Sequence, residues 1–269
     1  MGRHHHLILM SRRRFYAPPE AFAQGGKSVT LAGEEARHLR DVLRLKPGDE
    51  VFVFDGEGLE YRCVVEDARR DGALLQVIGE VSPASQESPL DLTLATALLK
   101  GEKFDLVVQK ATELGVARIV PVMTKLADVR FKDEGEGNKR TSRWQRIALE
   151  AAKQSGRARV PEINQPLAFN KLISEDAPAS LETVRLLFSE REGAGLSDII
   201  KGWSNIPRSN IPKSATALVG SEGGWTDEEL AAARDAGWTI ITLGGRIMRA
   251  ETAAITITAL LQHLLGDMK

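Results

Sequence analysis

The stretch that decides the fold is residues 215–261, which read ATALVGSEGGWTDEELAAARDAGWTIITLGGRIMRAETAAITITALL. Two short apolar runs, Ala215 to Val219 and Thr239 to Leu243, are typical of buried strands. Thr226 and Glu229 form a capping-box pattern that opens a helix between the two runs. An amphipathic helix follows the second run. This order of strand, helix, strand and helix predicts an α/β layer with a mainly parallel sheet.

The same alternation begins upstream, at about residue 90. Three further apolar runs are predicted strands: Leu92 to Leu98, Arg118 to Val122 and Val184 to Phe188. Apolar side chains also recur at helical spacing in two of the connections. The first stripe comprises Phe104, Val107, Val108, Ala111 and Leu114, and the second comprises Trp144, Ile147, Ala148 and Ala151.

The N-terminal residues, up to about residue 80, show a different pattern of short β-rich runs joined by Gly-containing turns. Residues Gly33 to Arg44 have a helical pattern. The predicted strands that follow are Val51 to Phe54, Tyr61 to Val65 and Leu74 to Ile78. Runs of this kind indicate a small barrel or meander.

A polar, Pro-bounded segment from Ser82 to Pro89 has the composition of a linker. We therefore expect a small β domain over residues 10–82, a linker over 83–90 and an α/β domain over 91–269. The length of 269 residues is compatible with two modest domains.

The composition excludes several classes of protein. With 42% hydrophobic and 27% charged residues, the chain can bury a core and is neither disordered nor fibrous. The apolar stretch Ala253 to Leu265 is too short and too Thr-rich to span a membrane. The single cysteine, Cys63, excludes an internal disulfide framework and a Cys-based zinc cluster. With no secretory signal apparent, the sequence predicts a cytoplasmic protein without membrane or metal.

The first nine residues are left out of this reasoning. His4, His5 and His6 precede a second methionine, Met10, and a terminal artefact explains them more simply than a metal site.

Charge is clustered although the formal net charge is only -1, a value that argues against indiscriminate coating of nucleic acid. Residues 1–48 carry nine basic and four acidic side chains, 9 - 4 = +5, and residues 139–159 carry seven and one, 7 - 1 = +6. Two basic patches on a neutral protein favour a localised contact with a polyanion. Two ordinary solvated faces are the alternative.

The second basic patch has helical spacing. Its cations recur at offsets of four, seven, fourteen and eighteen residues, which places them on one side of a helix, away from the apolar stripe. These residues are Lys139, Arg143, Arg146, Lys153 and Arg157. Such a row is suited to phosphate groups, and a solvated helix face remains the alternative.

Two glycine-bearing turns follow the last two predicted strands, Gly220 to Trp225 and Leu243 to Thr252. In open α/β sheets, ligands bind beyond the carboxyl ends of the strands, where glycine lets the backbone approach closely. The chain lacks an early G-x-G-x-x-G after a strand and lacks G-x-x-x-x-G-K-[ST], so neither a Rossmann nor a P-loop interpretation holds.

The combination of these turns resembles a known family. A turn of the form G-x-E-G-G, followed by L-G-x-R-I-x-R-x-E-T-A, is similar to the trefoil-knotted SPOUT methyltransferases, and most similar to their RsmE branch, which methylates N3 of a uridine in 16S ribosomal RNA. Further matching segments begin at Arg13, His38, Lys100 and Arg143 and extend the resemblance along most of the chain. One departure is Ser221, where the family usually has Pro; we expect cofactor binding to persist in a looser loop.

The resemblance implies a PUA-like N-terminal β-barrel domain and a knotted C-terminal domain with helices on both faces of its sheet. It also implies a homodimer and a pocket for S-adenosylmethionine formed mainly by backbone of the knot loops. By position, the cofactor-binding residues would be Leu218, Gly220, Glu222, Gly223, Leu243, Gly244, Ile247 and Met248. Ile247 and Met248 would supply apolar walls, unless they are simply core residues.

Three residues beside the second turn are candidates for catalysis. The N3 proton of uridine is lost only well above neutral pH, so a base or an anion-stabilising cation is required. Glu251 could accept that proton, and Arg249 or Arg246 could stabilise charge on the uracil carbonyls or bind a phosphate. Alternatively, Glu251 only favours the dipole of the last helix.

The basic residues are the candidates for contact with 16S ribosomal RNA of the small ribosomal subunit. They are Arg12, Arg13, Arg14, Arg37, Arg40, Arg44, Arg143, Arg146, Lys153 and Arg157. His38 and His263 fit packing or surface positions better than catalysis. Two alternatives stay open, because the fold does not select the acceptor: methylation of a ribose 2′-oxygen or another RNA position, and a non-catalytic RNA-binding factor in ribosome assembly.

Overall fold

The computed structural model describes residues 12–23, 25–131, 133–174, 183–204 and 212–268, and all structural statements concern these residues. The chain divides into two compact units. The first comprises Met1–Glu87 with Leu149–Val160, and the second comprises Ser88–Ala148 with Pro161–Lys269. The N-terminal histidines lie outside the described residues. None of the described helices is long and apolar enough to cross a membrane.

The first unit is built on a six-stranded sheet with the order β1-β4-β5-β6-β3-β2. Its strands are β1 (Arg14–Tyr16), β2 (Phe22–Ala23), β3 (Ser28–Leu31), β4 (Glu50–Phe54), β5 (Glu60–Ala68) and β6 (Ala73–Val81). The three predicted strands of this region are confirmed as β4, β5 and β6. No pairing joins β1 to β2 among the described residues, so the sheet is an open half-barrel rather than a closed barrel.

The segment of the first unit that was predicted to be helical forms two consecutive helices of different kinds. Helix α1 covers Gly33–Arg37, and a π-helix covers His38–Val42. The wider turn is closed by the bond from Leu43 N to His38 O, at 2.9 Å. Arg44 then adopts a φ of 54°, in the left-handed region, which ends the helix before the predicted limit.

The second unit contains an eight-stranded sheet in which every assigned pairing is parallel. Along the sheet the order is β10-β8-β7-β13-β11-β14-β12, and β9 also pairs with β8. The strands are β7 (Asp91–Ala97), β8 (Arg118–Met123), β9 (Glu162–Ile163), β10 (Leu167–Ala168), β11 (Thr183–Phe188), β12 (Ala194–Gly195), β13 (Ser214–Val219) and β14 (Thr239–Thr242). All five predicted strands are confirmed. The two-residue strands were not predicted, because a run that short has no periodicity.

Helices cover both faces of this sheet. They are α2 (Lys103–Glu113), α3 (Glu134–Ser155), α4 (Phe169–Ser174), α5 (Leu196–Ser204), α6 (Asp227–Asp235) and α7 (Ala250–Leu265). Helices α4 and α6 share one core with the sheet, while α2 packs against α7, which itself contacts β7 and β13. The predicted capping box forms at the start of α6: Glu229 N donates to Thr226 Oγ1 at 3.2 Å, and Thr226 N donates to Glu229 Oε2 at 3.0 Å.

Candidate active site

Three strands of the second unit end together at one edge of the sheet. Phe188, the last residue of β11, pairs with Val219 at the end of β13 and with Ile241 near the end of β14. Because the strands are parallel, the loops that follow them meet at this edge, which is where open α/β sheets bind ligands. The two glycine-bearing turns singled out in the sequence therefore lie beside each other.

A cavity of about 140 Å³ lies between these loops. Five of the eight predicted cofactor-binding residues line it, together with Arg246, and the five are Gly220, Leu243, Gly244, Ile247 and Met248. The other lining residues are Phe188, Ser189, Glu190, Val219, Ser221, Thr242, Gly245, Ala250, Ala253 and Ile257.

The remaining three predicted cofactor residues lie outside this lining. Leu218 is fully buried in the core beneath the sheet, because alternate residues of a strand point to opposite faces. Glu222 binds Lys103 instead. Gly223 packs against Leu126, whose backbone oxygen would lie 2.9 Å from a Cβ added at that glycine.

Ile247 differs from the expectation of an enclosed apolar wall. It borders the cavity, but it is 88% exposed, whereas Met248 is half-buried. The tip of the second loop thus presents a large apolar side chain to solvent, a feature that interaction surfaces often have.

Glycine is required at two positions of these loops for different reasons. At Gly220, an added Cβ would come within 3.1 Å of the Trp225 ring, whose Nε1 donates to Phe188 O at 2.8 Å. At Gly244 the space is open, but the φ of 68° is one that side-chain-bearing residues rarely adopt. The first glycine therefore permits close packing, and the second permits the turn.

Ser221, which departs from the resembled family, lies in a closed turn. Gly224 N donates to Ser221 O at 3.0 Å, and the two residues form an isolated β-bridge. The Ser221 hydroxyl is buried at the cavity and has no hydrogen-bond partner among the described residues. An unpaired buried hydroxyl is costly unless a ligand or water bonds to it.

A cluster of charges stands next to the cavity and joins three elements. Lys103, the first residue of α2, donates to Glu222 Oε1 at 2.5 Å, and its Nζ lies 3.7 Å from Glu251 Oε2. The hydrogen bond raises the pKa of Lys103 and lowers the pKa of the Glu222 carboxyl. Lys103 thereby links the loop after β13 to the start of α7.

Glu251 is the least exposed member of this cluster. Its side chain is only 11% exposed, and it lies one residue after Ala250, which lines the cavity. The Oε2 atom is buried without a hydrogen-bond partner among the described residues. No hydrogen bond from the backbone of α7 reaches the carboxylate within the described part of the chain, although its position in the first turn favours the helix dipole.

The two candidate arginines are both exposed at the loop that precedes α7. Arg246 lines the cavity, and Arg249 is the N-cap residue of α7. Arg249 is close enough to Lys103 to oppose the rise of its pKa. Neither guanidinium forms an ion pair within the described parts of the chain, so both are free to meet an anionic ligand.

Family comparisons agree with this geometry. A family described as the RNA methyltransferase domain matches residues 86–262, and one described as the RNA methyltransferase PUA domain matches residues 31–78. The chain is 34% identical to the ribosomal RNA small subunit methyltransferase E of Synechocystis sp., over 94% of this chain and 78% of that protein. This chain belongs to the ribosomal RNA small subunit methyltransferase E family.

Other members of the family are similar in sequence and structure. The Bacillus subtilis protein of the same name is 31% identical over 85% of this chain and 87% of its own length. The crystal structure of ribosomal RNA small subunit methyltransferase E from Neisseria gonorrhoeae, bound to S-adenosyl methionine, has a TM-score of 0.81 and 32% identity. It is matched over 96% of this chain and 100% of that chain.

Sequence reasoning missed two parts of the site in this member of the family. Lys103 is separated by 119 residues from Glu222, and only the resemblance of the segment from Lys100 drew attention to it. Phe188, Ser189 and Glu190 also line the cavity. These three residues could have been predicted from the sequence, because they lie at or just after the carboxyl end of β11, which was a predicted strand.

Several basic residues of the first unit do not form the exposed surface that the sequence suggested. Arg14 has a side chain only 7% exposed; it pairs with the fully buried Glu60 at 3.0 Å and donates to the carbonyls of Lys153 and Arg157. Arg12 also pairs with Glu60, at 3.1 Å. A buried carboxylate needs such partners, so the expected outward position of Arg14 is wrong.

The other N-terminal candidates are more accessible. Arg13 and Arg37 have side chains 50% and 63% exposed, and Arg44 is exposed. Arg40 is held by Asp41, through hydrogen bonds of 2.7 and 2.6 Å, and by the carbonyl of Arg69. His38 packs against the Phe15 ring at 5.7 Å between centroids.

The predicted row of cations on α3 is exposed only in its N-terminal half. Lys139, Arg143 and Arg146 are exposed, and Arg143 pairs with Asp105. Lys153, however, is 15% exposed and pairs with Glu35, while Arg157 lies beyond the end of the helix, is 4% exposed and pairs with Glu87. The prediction that all these cations point outward is therefore wrong for Lys153 and Arg157, which bind carboxylates of the first unit.

Proposed function

We propose that this chain methylates N3 of a uridine in 16S ribosomal RNA of the small ribosomal subunit, with S-adenosylmethionine as the methyl donor. The observation that carries the proposal is the cavity at the strand ends with a carboxylate, Glu251, held beside it. Relatives of the same family are named ribosomal RNA small subunit methyltransferase E, and one of them is bound to S-adenosyl methionine.

The residues around the cavity fit this cofactor. Gly220 and Gly244 line the cavity and have no side chains of their own, so a ligand can approach their backbone, and Met248 and Ile257 supply apolar surface. The unpaired Ser221 hydroxyl offers a further polar contact. Glu222 and Gly223 would act by shaping the first loop, and Leu218 by supporting it from the core. When bound, S-adenosylmethionine supplies an activated methyl group, so the protein needs to align it and to manage one proton.

Glu251 is the residue proposed to manage that proton. Its Oε2 is enclosed, whereas Oε1 has no hydrogen bond and is not enclosed, so Oε1 is the accessible acceptor. When the N3–H bond of uridine breaks, its electron pair stays on N3 and the proton bonds to Oε1. The proton then leaves to solvent. Arg249 or Arg246 stabilises the negative charge that develops on the uracil carbonyl oxygens, or binds a flanking phosphate.

The proposal includes an RNA contact by the exposed basic residues, a homodimer and a cytoplasmic setting. The exposed contact residues are Arg13, Arg37, Arg44, Arg143 and Arg146, and the partly buried Arg40 is included with them. The homodimer belongs to the proposal because the resemblance to the family implies it. Domain limits of 10–82, 83–90 and 91–269, and a trefoil knot in the last domain, belong to the same proposal.

The acceptor atom is tested by mass spectrometry of nucleosides from 16S ribosomal RNA. In a strain that lacks the gene of this chain, we expect N3-methyluridine to be absent and to return when the gene is restored. Unchanged N3-methyluridine with loss of a 2′-O-methylated nucleoside would support the ribose alternative. Calorimetry with S-adenosylmethionine tests the other alternative, because absence of binding would favour a non-catalytic assembly factor.

A further inference from the structure

Lys103 lies between two carboxylates that come from different parts of the second unit. Its Nζ is 2.5 Å from Glu222 Oε1 and 3.7 Å from Glu251 Oε2. Lys103 and Glu222 form a hydrogen bond, whereas Lys103 and Glu251 form an ion pair that has no hydrogen bond. The ammonium is thus bound to Glu222 on the first loop and attracts the Glu251 carboxylate at the start of α7.

The two oxygens of Glu251 have different surroundings. Oε2 is enclosed, and within the described residues its nearest basic group is the Lys103 ammonium. A buried charged oxygen without a partner is unfavourable, so the ammonium is what makes this orientation tolerable. With Oε2 turned to Lys103, Oε1 remains free on the accessible side.

We propose that Lys103 is a positioning residue for the reaction: anchored by Glu222, it orients Glu251 through Oε2, so that Oε1 can accept a proton. This inference rests on the proposed function. It assigns to α2 a part in a site otherwise built from the loops after β11, β13 and β14.

The charge balance of the proton transfer favours this arrangement. Before transfer, the negative charge resides on Glu251, beside the ammonium. After transfer, Glu251 is neutral and the negative charge is on the uracil ring, in the same neighbourhood. A cation fixed in advance stabilises both states at no cost of reorganisation. The charged groups that act on Lys103 are Glu222 on the first loop, Glu251 in the first turn of α7, and Arg249 at the start of that helix.

The test compares three variants. Lys103→Met removes the ammonium, and Lys103→Arg keeps a positive charge. Lys100→Met is the matched control, since Lys100 lies in the same segment and pairs at 2.9 Å with Asp128, both of them exposed. For each protein, kcat on small ribosomal subunits and the Kd for S-adenosylmethionine are measured. Independently, the carbon-13 NMR signal of the Glu251 carboxyl, assigned by Glu251→Gln, is recorded at a single pH in each cofactor-free protein.

We expect Lys103→Met to lower kcat about 100-fold, the lower end of the range for a lost electrostatic or proton-transfer contribution, with Kd changed less than about twofold. The carboxyl signal of Glu251 should move in Lys103→Met and keep nearly its wild-type position in Lys103→Arg, because a cation near Oε2 orients the carboxylate. Lys103→Arg should recover most of the activity, and Lys100→Met should match the wild type.

Two results would overturn the inference. One is an unchanged carboxyl signal of Glu251 in Lys103→Met. The other is an equal loss of kcat in Lys103→Met and Lys103→Arg together with a weakened Kd, which would mean that Lys103 only supports the loop. A wild-type protein without methylating activity would instead contradict the proposed function, and the carboxyl signal would still decide whether Lys103 orients Glu251.

Discussion

At the scale of single residues, Glu251 has to be distinguished from an ordinary acidic residue in a first helical turn. A carboxylate there interacts favourably with the helix dipole in any protein, by about 0.3–1 kcal/mol. What differs is that Oε2 is enclosed and faces Lys103, while the preceding residue, Ala250, lines the cavity. These features have no use in capping, because no backbone N–H of α7 bonds to the carboxylate among the described residues.

We expect Glu251→Gln to lower kcat by about 100-fold or more, since a neutral amide accepts no proton. Affinity for S-adenosylmethionine should change less than about twofold, and the free energy of unfolding by no more than about 1 kcal/mol. Single-turnover kinetics and calorimetry measure the two effects separately. Equal losses in turnover and cofactor affinity would mean that Glu251 is structural.

Arg14 shows how a basic residue in a basic segment can have a structural role. It is enclosed with Glu60 and binds two carbonyls at the end of α3. We expect Arg14→Ala to lower the free energy of unfolding by about 3 kcal/mol, because Glu60 would lose one of its two cations while buried.

Arg13→Ala is the matched control for that measurement. Its ion pair with Asp49, at 3.9 Å, is half exposed, so the expected change is below about 1 kcal/mol. Urea unfolding of both variants gives the comparison. Equal stability of the two proteins would show that the Arg14–Glu60 pair contributes nothing to folding.

At the scale of elements, the sequence predicts most of the second unit. Strands β7, β8, β11, β13 and β14 are apolar because both faces of the sheet are covered, and such runs are visible without a structure. The Thr226–Glu229 capping box is local chemistry and is equally visible. The π-helix at His38–Val42 and the strands of two residues depend on tertiary contacts, which leave no periodic signal.

Only some of the basic side chains predicted to lie in a row on α3 are exposed enough to contact RNA. Lys153 and Arg157 are satisfied by carboxylates, whereas Arg146 is exposed and forms no ion pair in the described part of the chain. We therefore expect Arg146→Ala to weaken binding of 16S ribosomal RNA and to lower the salt slope of that binding by about 0.7, the value for one contact with single-stranded phosphate.

Lys201→Ala, on α5, is the control, since Lys201 is 76% exposed and pairs with Asp198 within one helix. Binding is measured by filter retention or fluorescence anisotropy at several salt concentrations. If Arg146→Ala and Lys201→Ala have the same small effect, α3 does not contact the RNA.

At the scale of the whole molecule, the edge of a parallel sheet explains why the site was only partly predictable. The rule that loops follow strands to one edge predicted that the two glycine-bearing turns meet there, and the family resemblance supplied Gly220, Leu243, Gly244 and Met248, which line a cavity at that edge. It gave no indication of Lys103, whose position depends on the packing of α2 against α7. Near-zero net charge likewise concealed which cations are free and which are bound within the protein.

The central claim is that this chain transfers a methyl group to N3 of uridine, and reconstitution tests it most directly. Purified protein is incubated with small ribosomal subunits that lack the modification and with S-adenosylmethionine carrying a deuterated methyl group. The nucleosides are then separated and weighed by mass spectrometry. We expect a deuterated methyl group on N3-methyluridine and on no other nucleoside. Its appearance on a ribose 2′-oxygen, or on no nucleoside while the protein still binds the subunits, would show that this chain does not methylate N3 of uridine.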